Sequence, residues 1–177
     1  LGINTDYLGF TKSLSKMNLK KKDKILVLGC GGAGKAVITS IISNYKNNKK
    51  YFFNRSHIKL KKFLKNLKNK NINIVKSYKN LECLKNIKLI INTTSIGFDT
   101  WFEKNKKFYN LKYFSPLSNI SNFKNVSIKD DKIFVKNNIQ LIKLNILKSY
   151  EFFKNNPNCG VIDIIHTPKE TVLMQLS

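Results

Sequence analysis

The residues with the clearest chemical purpose are Gly29-Cys30-Gly31-Gly32-Ala33-Gly34, which satisfy the spacing G-x-G-x-x-G. They follow the apolar run Ile25-Leu26-Val27-Leu28. They precede a segment whose residues Val37, Ile38, Ile41, Ile42 and Tyr45 share one broad helical face. The first glycine permits a tight turn, the second lets the backbone approach a pyrophosphate, and the third lets the helix pack on the strand. Free amides at the helix N-terminus then face the anion. A glycine-rich turn with no ligand is the alternative. The position between strand and helix puts dinucleotide binding ahead of it.

A second determinant is needed where the second strand ends. NAD enzymes place Asp or Glu there to hold the ribose 2′-hydroxyl. This chain has Phe52-Phe53-Asn54-Arg55-Ser56 and no acid. A carboxylate would repel a 2′-phosphate, whereas the planar guanidinium of Arg55 binds one with a fork of donors. Arg55 is the single arginine among 33 Lys+Arg. Lysine is supplied freely everywhere else, so guanidinium shape matters here; a chance surface arginine is the weaker alternative. Lys59, one turn along the next helix, adds a second charge. The implied cofactor is NADP.

The elements that must hold these groups alternate along the chain. Short apolar runs at 25–28, 51–53, 72–75, 88–91 and 161–165 read as strands. Leu60, Phe63, Leu64 and Leu67 mark a helix after the second strand, and a short helix begins near Lys169. Phe10, Leu14 and Met17 recur at helical spacing ahead of a charged connector, residues 19 to 23. Continuous apolar strands between amphipathic helices mean an α/β fold, with a parallel sheet covered on both faces. The segment 99–158 breaks the rhythm. It is rich in Lys and Asn, is weakly periodic apart from a helix-like patch at 139–153, and reads as a partly disordered insertion.

The net charge of +23 suggests a nucleic-acid binder. The lysines, however, run from end to end instead of marking one face, so nucleic acid is disfavoured as a partner. Cys30, Cys83 and Cys159 form no disulfide framework and have no zinc-ligand spacing, which points to a reducing compartment, the cytoplasm or a plastid, and to no bound metal. No apolar run approaches a membrane span. With no initiator Met and no signal peptide, the chain reads as a fragment.

Five segments together resemble the shikimate dehydrogenase family. LGINTDYLGF is similar to its G-x-N-T-D-x-x-G-F segment, VLGCGGAGKAV to its cofactor turn, and FFNRS to its Asn-Arg-Thr/Ser motif. INTTSIGF resembles its I-N-A-T-x-x-G-M segment, and IDIIHTPKETVLMQ its D-x-x-Y-x-P-x-x-T-x-L-L segment. The resemblance implies a Rossmann-like NADP-binding domain over 21–177, preceded at 1–20 by the end of a substrate domain and its linker helix. It implies reduction of 3-dehydroshikimate to shikimate with NADPH, on the way to chorismate and the aromatic amino acids. A quinate/shikimate dehydrogenase and an NADP-binding module without catalysis are the alternatives. The chain would take a small-molecule substrate, as a homodimer or as one domain of a multifunctional polypeptide.

Residue by residue, Asp6 matches the aspartate of the family's catalytic Lys–Asp pair; helix capping is its other reading. Asn4 and Thr5 belong to the same substrate-binding motif. Gly29, Cys30, Gly31, Gly32 and Ala33 would cradle the pyrophosphate, with Gly34 completing the turn. Asn54, Arg55, Ser56 and Lys59 would hold the adenosine 2′-phosphate end. Thr93, Thr94 and Ser95 end the fourth strand, at the edge where such sheets bind ligands, with turn capping as an equal alternative. Ile164 would line the nicotinamide side or pack in the core. His166 stands where the family has Tyr and would contact substrate, or else face solvent. The family's catalytic lysine lies upstream of the segment represented here.

Overall fold

The computed structural model describes residues 10–12, 14, 17–67 and 71–177. Five strands form one parallel sheet: β1 (Lys24–Leu28), β2 (Lys49–Phe53), β3 (Ile72–Val75), β4 (Ile87–Asn92) and β7 (Gly160–Asp163). Their order is β3-β2-β1-β4-β7. The chain winds outward from β1 through β2 to β3. It then crosses to the other side of β1 to lay down β4 and β7. The sheet therefore reverses direction between β1 and β4, and ligands of open α/β sheets bind at such a switch point, beyond the carboxyl ends of the strands.

Both faces of the sheet are covered, as the unbroken apolar strands require. Ile25 and Val27 of β1 point to a core shared with α1 (Gly32–Asn44) and α2 (His57–Leu64), which contribute Ile38, Ile41, Leu60 and Leu64. Phe10 and Leu14 join that core from the helical residues that precede β1. Leu26 and Leu28 face the opposite core. There they meet Leu81 of α3 (Tyr78–Glu82), Phe152 and Phe153 of α4 (Asp131–Asn155), and Leu173 of α5 (Val172–Gln175). The register between β1 and β4 slips after Lys24, which pairs with Ile87 while Ile25 pairs with Leu89. Lys88 is the extra residue, so Ile87 and Ile90 share one face while Leu89 and Ile91 share the other.

The segment between β4 and β7 is ordered. It carries the antiparallel hairpin of β5 (Trp101–Lys104) and β6 (Lys107–Asn110), and the 25-residue helix α4. This corrects the expectation of partial disorder. The segment builds its own core, in which Leu111, Phe114, Ile120, Val126, Phe134 and Ile142 pack together. Among the described residues no helix is long and apolar enough to cross a membrane.

Candidate functional site

At the switch point the carboxyl ends of β1, β2 and β4 border a cleft of about 420 Å³. Its floor is the turn from β1 into α1. The Gly29 amide donates to the Phe53 carbonyl (2.8 Å), and Gly29 has φ +101°, in the left-handed region that disfavours a side chain. A Cβ on Gly34 would lie 2.9 Å from the Gly29 carbonyl oxygen, so only glycine lets α1 approach β1 this closely. Gly31 and Gly32 differ from both. A Cβ on either would meet nothing within 4 Å, because they border open space.

The N-terminus of α1 opens onto that space. Gly31 is its N-cap, with no side-chain capping bond, and the first turn holds no acid. Amides there have no intrahelical acceptor, and the helix dipole favours an anion beside them. An uncapped helix start, a glycine cradle and open space in front of both fit a pyrophosphate.

Asn54 ties this turn to the end of β2. Its Oδ1 accepts from the Cys30 amide (3.1 Å), and its Nδ2 donates to the Ser56 carbonyl (2.9 Å). Both ends of the amide are thus used to shape the two turns. Arg55 follows, exposed and lining the cleft. Among the described residues it pairs with no carboxylate, so its donors are available. Beside it stands Tyr78, packed edge-on against Phe53 with centroids 4.7 Å apart. Burial pushes the Tyr78 hydroxyl pKa up, and the Arg55 charge opposes that shift. Tyr78 escaped the sequence reading. The available signal was Ser77, whose hydroxyl caps α3 and sets that helix at the carboxyl end of β3.

Thr93, Thr94 and Ser95 also line the cleft. The Thr93 hydroxyl donates to the Leu28 carbonyl (2.8 Å), locking β4 to β1 beneath the glycine turn. The Thr94 hydroxyl donates to Asn92 Oδ1 (2.8 Å) and accepts from the Ile96 amide (3.1 Å). These two hydroxyls hold the turn. Ser95 forms part of the wall.

Other sequence candidates stand apart. Gly32, Ala33 and Gly34 belong to α1, behind the lining itself. Ser56 is the N-cap of α2, and Lys59 is exposed one turn further on; neither borders the cleft. Ile164 (37% exposed) and His166 lie outside it as well, with the His166 ring 5.9 Å from that of Phe98. Asn4, Thr5 and Asp6 lie outside the described residues.

Two further groups frame the chemistry. Burial raises the Cys30 thiol pKa, with Lys35 opposing, and this cysteine of the turn packs against the core beneath it. Asp163, at the end of β7, accepts from the Asn92 amide (3.1 and 3.2 Å), the Thr171 hydroxyl (2.8 Å) and the Ile165 amide (3.1 Å). Burial pushes its carboxyl pKa up against those bonds. This network fixes the ends of β4 and β7 beside the cleft. Among the described residues no cluster of three or more His, Cys, Asp or Glu could hold a metal ion.

A parallel sheet with its switch point at a glycine turn, and an uncapped helix start over the cleft, define a Rossmann-like domain. The profile of the shikimate / quinate 5-dehydrogenase family matches residues 12–106, more than half of the chain. Shikimate dehydrogenase (NADP(+)) of Dictyoglomus turgidum is 39% identical over 100 residues, 55% of this chain and 36% of that protein. Its counterpart in Aquifex aeolicus is 37% identical over 97 residues, 54% of this chain and 34% of that protein. Among solved structures, a chorismate mutase/shikimate 5-dehydrogenase fusion protein from Clostridium acetobutylicum superposes with a TM-score of 0.60 at 25% identity. That match covers 98% of this chain and 45% of the other. Shikimate dehydrogenase from Aquifex aeolicus gives 0.54 at 26% identity, covering 98% and 46%. The chain belongs to the shikimate / quinate 5-dehydrogenase family. It spans about a third of the length of the curated relatives it matches.

Proposed function

We propose that the chain is the coenzyme-binding part of an NADP-dependent shikimate dehydrogenase, acting on 3-dehydroshikimate and shikimate. The observation that carries this reading is Arg55. It is unpaired among the described residues, beside the glycine turn, at a strand end where an NAD enzyme has an acid. The NADP(+) specificity in the relatives' names supports it. When bound, the nicotinamide cofactor supplies or accepts a hydride.

The chain's own residues bind and orient. The Gly29 and Cys30 amides are bonded to the Phe53 carbonyl and to Asn54 Oδ1, so the free amides at the start of α1, Gly31 to Ala33, hold the pyrophosphate, and Arg55 clamps the 2′-phosphate with its fork. Asn54 keeps both turns in register. Ser95 borders the path toward the nicotinamide, and Asp163 with Asn92 fixes the strand ends there. Asp6 pairs with a lysine of the substrate domain to move the proton, and His166 stands on the substrate side. The division into a linker at 1–20 and a coenzyme domain at 21–177 belongs to this reading, and likeness to a fusion protein supports a place within a larger polypeptide. The free thiols suit a reducing compartment such as the cytoplasm.

The test has two arms. NADP(+) should raise the melting temperature of the chain where the same concentration of NAD(+) does not. A ligand at 100 times its Kd adds about 2.7 kcal/mol of stability. Joined to a substrate domain from a curated relative, the chain should reduce NADP(+) with shikimate faster than with quinate. Stabilisation by NAD(+) alone, or turnover with quinate alone, would contradict the proposal.

A further inference from the structure

The family profile ends at residue 106, yet the cleft does not. Pro116, Asn119, Ile120, Ser121 and Phe123 also line it, all from the chain between β6 and α4. That stretch is held as a taut strap. Asn145 of α4 grips one end: its Oδ1 accepts from the Ser115 amide (2.8 Å) and its Nδ2 donates to the Ser115 carbonyl (3.0 Å). Asn138, two helical turns earlier, grips the other end: its Oδ1 accepts from the Lys124 amide (2.6 Å) and its Nδ2 donates to the Lys124 carbonyl (2.9 Å). Between the clamps Leu117 is buried under the sheet with Phe152 and Leu173. Phe123 stacks obliquely on Tyr109, centroids 4.9 Å apart. Buried asparagines that each hold two backbone groups of a loop fix it in place, since releasing either strands polar groups.

The strap offers two kinds of surface. Ile120 and Phe123 give apolar and aromatic area, while Asn119 and Ser121 are exposed and polar. The Ser121 amide bonds to Asn119 Oδ1 (3.0 Å), which leaves the Asn119 amide group at the rim, and the Ser121 hydroxyl donates to Asn122 Oδ1 (3.3 Å) with its oxygen still able to accept. Apolar walls with a few placed polar groups are what a nucleoside, part ring and part sugar, requires of a site.

We propose that residues 115–124 are a fixed wall of the coenzyme site. Asn119, Ile120 and Ser121 contact the bound dinucleotide, and Asn138 and Asn145 act as positioning residues. This rests on the coenzyme reading above and assigns to that site a segment beyond the family profile. The wall touches parts common to NADPH and NADH, so it sets affinity and leaves the preference between them to Arg55.

The test is a fluorescence titration of the chain with NADPH and with NADH. Asn119→Trp, at an exposed position, fills the cleft without disturbing the core. It should weaken both coenzymes by about tenfold or more, or about 1.4 kcal/mol, with an unchanged melting temperature of the free protein. Asn145→Ala should weaken both by several-fold and speed amide exchange in 115–124. Arg55→Ala should weaken NADPH selectively. If the unaltered chain binds NADPH, and Arg55→Ala weakens it, while Asn119→Trp changes neither affinity, the wall is overturned and the coenzyme reading stands. If the unaltered chain, shown to be folded, binds neither coenzyme, both fall.

Discussion

At the scale of single residues, the glycine turn shows how separate constraints share one motif. Gly29 is fixed by its backbone conformation, Gly34 by contact with the Gly29 carbonyl and the Thr93 hydroxyl, and Gly31 by the room in front of it. Gly34→Ala should therefore cost about 1–3 kcal/mol, despite alanine's better helix propensity, because its Cβ meets backbone that cannot move aside. Gly31→Ala should leave the melting temperature nearly unchanged and weaken coenzyme binding. Asp163 makes a pH prediction. Its pKa is raised by burial in the folded protein, so the folded state holds the proton more tightly than the unfolded chain. Its contribution is fully present below the ordinary carboxylate range and is lost as pH rises through the raised value. The stability advantage over Asp163→Ala should shrink across that window, measured by denaturant unfolding at a series of pH values. The motif residues were legible because each has an identity that few others can replace. Tyr78 was not, since Ser77 marks a helix start but does not say that β3 ends at the cleft.

At the scale of elements, α4 explains why its segment looked structureless in the sequence. Its buried stripe runs Phe134, Asn138, Ile142, Asn145, Ser149, Phe152, so polar residues are interspersed with apolar ones on the inner face. Ile133, Leu144, Leu147 and Tyr150 sit outside and blur the pattern further. Apolar periodicity reports burial only where buried groups are apolar, and here the buried asparagines serve as backbone clamps. Asn138→Ala and Asn145→Ala should each cost about 1–3 kcal/mol, since each orphans an amide and a carbonyl. The hairpin was hidden for a similar reason. Asn105 and Lys106 both have positive φ (53° and 57°), as a two-residue primed turn requires, yet the second position lacks the expected glycine. Lys106→Gly should raise stability by up to about 1 kcal/mol in thermal unfolding. β1 and β4, at the centre of the sheet, were legible as apolar runs buried on both faces, whereas the edge strands β3 and β7 are half-buried and showed only as shorter apolar runs.

At the scale of the whole molecule, the parallel sheet follows from its alternating elements, and the switch point follows from the order in which the strands are laid down. The charge of +23 has no such organising role. It is a diffuse field that draws polyanions of any kind, including coenzyme, and salt screens it over about 10 Å at 0.1 M. Coenzyme affinity should therefore fall modestly with salt in both the parent chain and Arg55→Ala, while the parent's preference for NADPH over NADH persists. The measurement that bears most directly on the account is that preference itself, from titrations of the parent chain and Arg55→Ala with both coenzymes at physiological ionic strength. The account predicts that the parent binds NADPH much more tightly than NADH and that the difference vanishes in Arg55→Ala. A folded parent chain that binds the two equally, or an Arg55→Ala variant that keeps the preference, would contradict it.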